Sequence, residues 1–173
     1  RYFGAGVNGA IGKRGGSGST NRWQTVRINA RADGYVDFYL NGSRRYRVKD
    51  NRYKSGKVRV GFGCRNYRFR NLRVTQGKKS TYKMKRYGLS RVPANSAGFV
   101  KKTGRVSFTS NEVRTRQGNY FADTKQTFYR PADMRIQIHQ QGGGYECGVV
   151  SLFPRSRTRH AGDNAGVGWW RNY

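Results

Sequence analysis

Acidic residues are scarce in this chain. Asp plus Glu number 8 against Lys plus Arg 36, a formal charge of +28 on 173 residues. Histidine occurs only as His139 and His160, and cysteine only as Cys64 and Cys147. The cysteines lie far apart and no C-x-x-C is present, so no zinc site or other metal centre is expected. They are either a structural disulfide of an exported protein or two buried free thiols. No apolar run approaches the ~18 residues of a membrane span. Nowhere do apolar residues recur at three- and four-residue spacing over about a dozen positions, so no helix is expected. The absence of a G-x-x-x-x-G-K-[S/T] run excludes a phosphate loop, and no nucleotide or other cofactor is expected. No RNA-recognition, helix-turn-helix or zinc-finger signature is present, which excludes those modes of sequence reading.

What remains is basic, aromatic and rich in glycine. A globule of 19.8 kDa has roughly 8,600 Å² of surface. That leaves about one uncompensated positive charge per 300 Å², far beyond the net charge of about 2 to 8 that solubility asks of a small domain. Charge of one sign at this density opposes compaction and self-association. An anionic partner is expected: nucleic acid, an acidic glycan or an anionic surface. Aromatics make up 14% of the chain, unlike a disordered basic tail. Gly at 24 and Pro at 3 suit a turn-rich β protein. The chain opens at Arg1-Tyr2-Phe3 without a Met, as a processed or partial product would.

Period-two alternation dominates. Val26, Ile28 and Ala30 alternate with Arg27 and Asn29; Val36, Phe38 and Leu40 alternate with Tyr35, Asp37 and Tyr39. Asn41-Gly42 then signals a tight hairpin into Ser43–Val48. Further strands are expected at 57–62, 67–74, 105–109, in the 121–128 region, at 134–139 and at 145–153. Residues 1–20 read as a Gly/Ser loop, and 154–173 as a tail. Many short strands with regular turns give an all-β, antiparallel two-sheet sandwich.

The run Asn21-Arg22-Trp23-Gln24-Thr25-Val26-Arg27-Ile28, then Tyr39-Leu40-Asn41-Gly42, Ser55–Phe62 and Phe69–Val74, resembles the concanavalin A-like lectin/glucanase sandwiches. The particular likeness is to the 3-keto-disaccharide hydrolase domain family. In that family this run forms the second half. Elements similar to its first half come later here: Ala132–His139, Gly142-Gly143-Gly144 and Gly144-Tyr145-Glu146. The resemblance therefore implies a jelly-roll in permuted order. Residues 1–75 are the C-terminal-type half, 76–104 a connector and 105–173 the N-terminal-type half. The chain would be circularly permuted, cut from a tandem array, or completed by strand exchange between copies.

By the resemblance, the Gly-Tyr-Glu strand lines a sugar-binding face, making Glu146 the candidate acid, with His139 as its partner. Glycoside cleavage needs two carboxylates, and after Glu146 the chain continues Cys-Gly-Val-Val-Ser-Leu without another. Tyr145, Trp169 and Trp170 are candidate stacking platforms for sugars or bases. Asp163 beside His160 reads as turn chemistry. The densest cationic stretch runs through Arg44, Arg45, Arg47, Lys49, Arg52, Lys54, Lys57 and Arg59, then Arg65, Arg68, Arg70 and Arg73, with only Asp50 diluting it. Guanidinium forks bind phosphate, sulfate or carboxylate bidentately. The leading expectation is a non-catalytic module that binds an anionic polymer and builds an extracellular or cell-surface assembly of copies. A glycoside hydrolase and a neutral-glycan lectin are the alternatives.

Overall fold

The computed structural model describes residues 2–7, 10–14, 21–51, 54–63, 66–77, 87–102, 104–116, 118–141, 149–153 and 165–170. They form strands β1 (Tyr2–Val7), β2 (Ala10–Arg14), β3 (Trp23–Ala30), β4 (Tyr35–Leu40), β5 (Ser43–Lys49), β6 (Ser55–Gly56), β7 (Val58–Gly63), β8 (Asn66–Gly77) and β9 (Tyr87–Val92). The later strands are β10 (Phe99–Lys101), β11 (Val106–Phe108), β12 (Val113–Thr115), β13 (Gly118–Thr124), β14 (Phe128–Tyr129), β15 (Ala132–Gln141), β16 (Val149–Leu152) and β17 (Ala165–Trp170). No helix occurs among the described residues.

All the strand pairs are antiparallel, and they build two large sheets. One runs β10-β13-β7-β16-β17-β1-β2. The other runs β11-β12-β8-β15-β3-β4-β5, with β9 also on β8. A small β14-β6 ladder stands apart. Val58, Val60, Phe99, Ala122, Val150 and Leu152 of the first sheet join Val26, Ile28, Phe38, Phe69, Val74 and Ile136 of the second in one buried core. The fold is thus an all-β antiparallel sandwich. Strict alternation produces it: β3 is buried at every second residue from Gln24 to Ala30, so its opposite side faces out.

Strands from both ends of the chain interleave. In the second sheet, β15 lies between β8 and β3; in the first, β7 lies between β13 and β16. The Asn41-Gly42 turn forms as expected, with φ of +49° and +85°, the left-handed pair that a two-residue hairpin requires. Gly61 has φ +124°, and a Cβ there would come within 2.4 Å of the Tyr120 carbonyl oxygen. Only glycine fits that approach, where the β13–β7 register shifts.

Three stretches differ from expectation. The Gly-rich opening holds β1 and β2 rather than a continuous loop, and the tail holds β17. Gly4 pairs with Gly168 and Gly6 with Gly166. Backbone ladders need no side chains, so a partner strand overrides the low propensity of glycine. The expected connector takes in the end of β8 and contributes β9 and β10 to the sheets.

Candidate anion-binding face

The outer side of the β11-to-β5 sheet carries a dense array of charge-bearing side chains. One register line crosses six strands. Arg91 on β9 stands opposite Arg73 on β8, which stands opposite Arg135 on β15. Arg135 stands opposite Arg27 on β3, which stands opposite Tyr39 on β4, and Tyr39 opposite Arg44 on β5. At about 4.8 Å per strand gap, the line spans roughly 24 Å. Arg91, Arg73, Arg135 and Arg44 are exposed. Direct opposition of like charges across strands is unfavourable by itself.

A bulge makes the line possible. Asn71 has φ +55° and the β15–β8 register shifts there. Phe69 and Leu72 both turn into the core, while Arg68, Arg70 and Arg73 all turn outward. Arg70 Nε and Asn71 Nδ2 both donate to Gln137 Oε1, at 2.9 and 2.8 Å. That shared acceptor closes the bulge.

Among the described residues, three carboxylates reach this face. Asp133 accepts from Nε and Nη2 of Arg27, both at 2.7 Å. Asp37 accepts from Nε and Nη2 of Arg47 at 2.5 and 3.0 Å. Glu112 accepts from Nε of Arg68 at 2.9 Å, from Nη2 of Arg68 at 2.5 Å and from Nε of Arg114 at 2.9 Å. The hydrogen bond from Arg68 holds the Glu112 carboxyl below its ordinary range. Arginines also cover the aromatics. Arg70 lies 3.8 Å and Arg68 5.3 Å from the Trp23 ring centroid, and Arg27 lies 4.6 Å from that of Tyr39.

His139 shares this side with Arg135 and Gln137, as expected from the alternation. Its ring sits 5.3 Å from Trp23. Burial, then the nearby Arg68 charge, push its pKa below the ordinary 6.5, so it is neutral at pH 7. No carboxylate hydrogen-bonds to it among the described residues.

The expected cationic stretch does not share one surface. Arg44, Arg45 and Arg47 lie on the edge strand β5, Arg68, Arg70 and Arg73 on β8, and Lys57 and Arg59 at β7 of the other sheet. Asp50 does not act alone as diluent. Arg47, Arg59 and Arg68 are held by acids distant in sequence or on a neighbouring strand, with Asp123 accepting from Arg59 Nε at 2.7 Å and Nη2 at 3.0 Å. Lys57 Nζ donates to the Thr124 and Lys125 carbonyls, and Lys54 Nζ to Asn51 Oδ1. Arg52, Arg65, Cys64, Tyr145, Glu146, Cys147, His160 and Asp163 lie outside the described residues. Trp169 and Trp170 stand on β17, paired with Phe3 and Tyr2 of β1. Arg27, Arg91, Arg135 and the covered Trp23 were not singled out by local charge density. Their only sequence signal is outward parity on separate strands.

No group of three or more His, Cys, Asp or Glu able to hold a metal occurs among the described residues. No helix among them is long and apolar enough to cross a membrane. No family model matches the chain, and comparison with curated proteins finds no match.

Proposed function

We propose that this chain is a non-catalytic, strongly basic sandwich module that binds an anionic polymer, an acidic glycan or a nucleic-acid backbone, across the outer face of the β11-to-β5 sheet. One observation carries the reading: the line Arg91-Arg73-Arg135-Arg27-Tyr39-Arg44, in which three exposed arginines stand in consecutive register without a bidentate carboxylate among the described residues. A linear polyanion laid across the strands would neutralise them in series. Copies at +28 repel one another, so an assembly of this chain would incorporate the polymer between its subunits.

The likeness to concanavalin A-like sandwiches in permuted order belongs to the same reading. The pairing of β17 with β1, with Tyr2 opposite Trp170, is compatible with a joined order. The hydrolase alternative gains nothing from the site, because His139 is packed between Trp23 and arginines. The test is binding of heparin, duplex DNA and a neutral glucan at about 50 and 200 mM salt. The reading expects the first two to bind and to lose about 500-fold in affinity for five phosphate contacts. Salt-insensitive binding of the neutral glucan alone would replace it with the lectin alternative.

A further inference from the structure

At one end of the same face lies a basin of about 490 Å³. Four arginines line it: Arg68, Arg105, Arg114 and Arg116. The ladder forces them together. Arg114 stands opposite Arg68, and the Arg116 amide donates to the Arg105 carbonyl at 3.2 Å. Like charges so opposed cost stability unless an anion lies between them. The chain supplies one such anion, Glu112, whose side chain is only 5% exposed and bridges Arg68 to Arg114. The neighbouring pair, Arg105 and Arg116, is exposed, and no carboxylate reaches either among the described residues.

We propose that this basin seats a tetrahedral oxyanion, a phosphate or sulfate group, with Arg105 and Arg116 as its principal donors. A carboxylate has only two oxygens: like Glu112, it takes one fork bidentately and a single further bond from a second guanidinium, so it cannot satisfy two forks in full. A phosphate or sulfate offers three or more terminal oxygens and accepts from both forks at once. Glu112 locks Arg68 and Arg114 in place, so the walls are set before the ligand arrives. The seat stands on its own geometry. Its consequence for the polymer rests on the preceding reading: chains with pendant or backbone phosphate or sulfate are preferred over chains carrying carboxylates alone.

The test follows the arginine side-chain NMR signals of the full chain at constant ionic strength, titrated with inorganic phosphate, inorganic sulfate or acetate. Phosphate and sulfate are expected to shift Arg105 and Arg116 saturably, with acetate at least about tenfold weaker. Arg105→Gln with Arg116→Gln should lose about tenfold in phosphate affinity while unfolding in urea no earlier than the parent. Arg105→Lys keeps the charge without the fork and should fall between. Equal response to acetate, non-saturating shifts, or full binding by Arg105→Lys would overturn the seat and leave only diffuse attraction. Heparin compared with desulfated heparin and with duplex DNA then separates a sulfate from a phosphate source. If phosphate fills the basin but no polymer binds, the polymer reading fails and the seat stands. If polymer binds but phosphate leaves the basin unmoved, the reverse holds.

Discussion

Arg73 and Arg135 face each other directly across β8 and β15, in the middle of the second sheet, with Arg91 and Arg27 on either side. Among the described residues Asp133 is the carboxylate that reaches Arg135, at 4.0 Å from Nη2, and both its oxygens accept from the fork of Arg27. A sheet interior holding such an arrangement carries a cost of about 0.2–1 kcal/mol per opposed pair.

Replacing Arg73 and Arg135 together by Gln should therefore move two quantities in opposite directions. Thermal stability should rise by about 0.5–1 kcal/mol as the repulsion goes. Polymer affinity should fall. Calorimetry and a binding titration on the same samples check this, and a loss of stability with unchanged affinity would assign the pair a structural role.

Acid should weaken the fold partly through Glu112. Arg68 depresses its carboxyl below the ordinary 4.5, so on acidification the unfolded chain takes up this proton first. The stability carried by Glu112 is complete above pH 4.5 and is lost as the pH falls through its folded-state value. Asp33, held down by its hydrogen bond from Arg31, contributes with the same sign below 3.8. Urea midpoints measured from neutral to strongly acidic pH should fall, and Glu112→Gln should flatten the decline while costing about 1–3 kcal/mol at pH 7.

His139 reports on the face directly. Its NMR titration midpoint should lie below 6.5. Arg68→Gln removes the larger of the two arginine charges that act with burial, Arg70 being the other, and should raise that midpoint. So should a bound polyanion, by cancelling the same field. A midpoint indifferent to added heparin and DNA would place the polymer elsewhere.

Arg130 joins distant loops. Its guanidinium donates to the carbonyls of Arg31, Asp50 and Tyr35 at 2.7, 2.6 and 3.0 Å. Arg130→Met should cost about 1–3 kcal/mol in urea unfolding, because three carbonyls lose the guanidinium at once, those of Arg31 and Tyr35 keeping their backbone donors Gly34 and Arg31. Polymer affinity, corrected for the folded fraction, should stay the same.

Much of the sandwich was legible because alternation is local. Gln24 to Ala30, Val36 to Leu40 and Met134 to His139 each show their buried side in a single pass, and Asn41-Gly42 names its turn. β1, β2 and β17 were not, because their glycines carry no pattern and owe their strand state to one another and to the rest of the sheet. The uneven spacing of Phe69, Leu72 and Val74 held the one trace of the Asn71 bulge.

The arginine face was legible only in part. Charge density picked out Arg68, Arg70 and Arg73, yet it equally picked out Arg59, which belongs to the other sheet and to Asp123. The line itself draws on six strands, so no window along the chain contains it. The same holds for neutralisation: Arg27 finds Asp133 across 106 positions, and Arg68 finds Glu112 across 44.

Compensation by an outside polyanion along this arginine line is most directly tested by the salt dependence of affinity. The measurement is duplex DNA binding to the parent chain and to a variant with Arg73, Arg91 and Arg135 all changed to Gln, over a range of salt. Each lost phosphate contact should lower the log–log slope by about 0.9, so the variant should be shallower by about 2 to 3. Identical slopes and affinities for the two proteins would contradict the account.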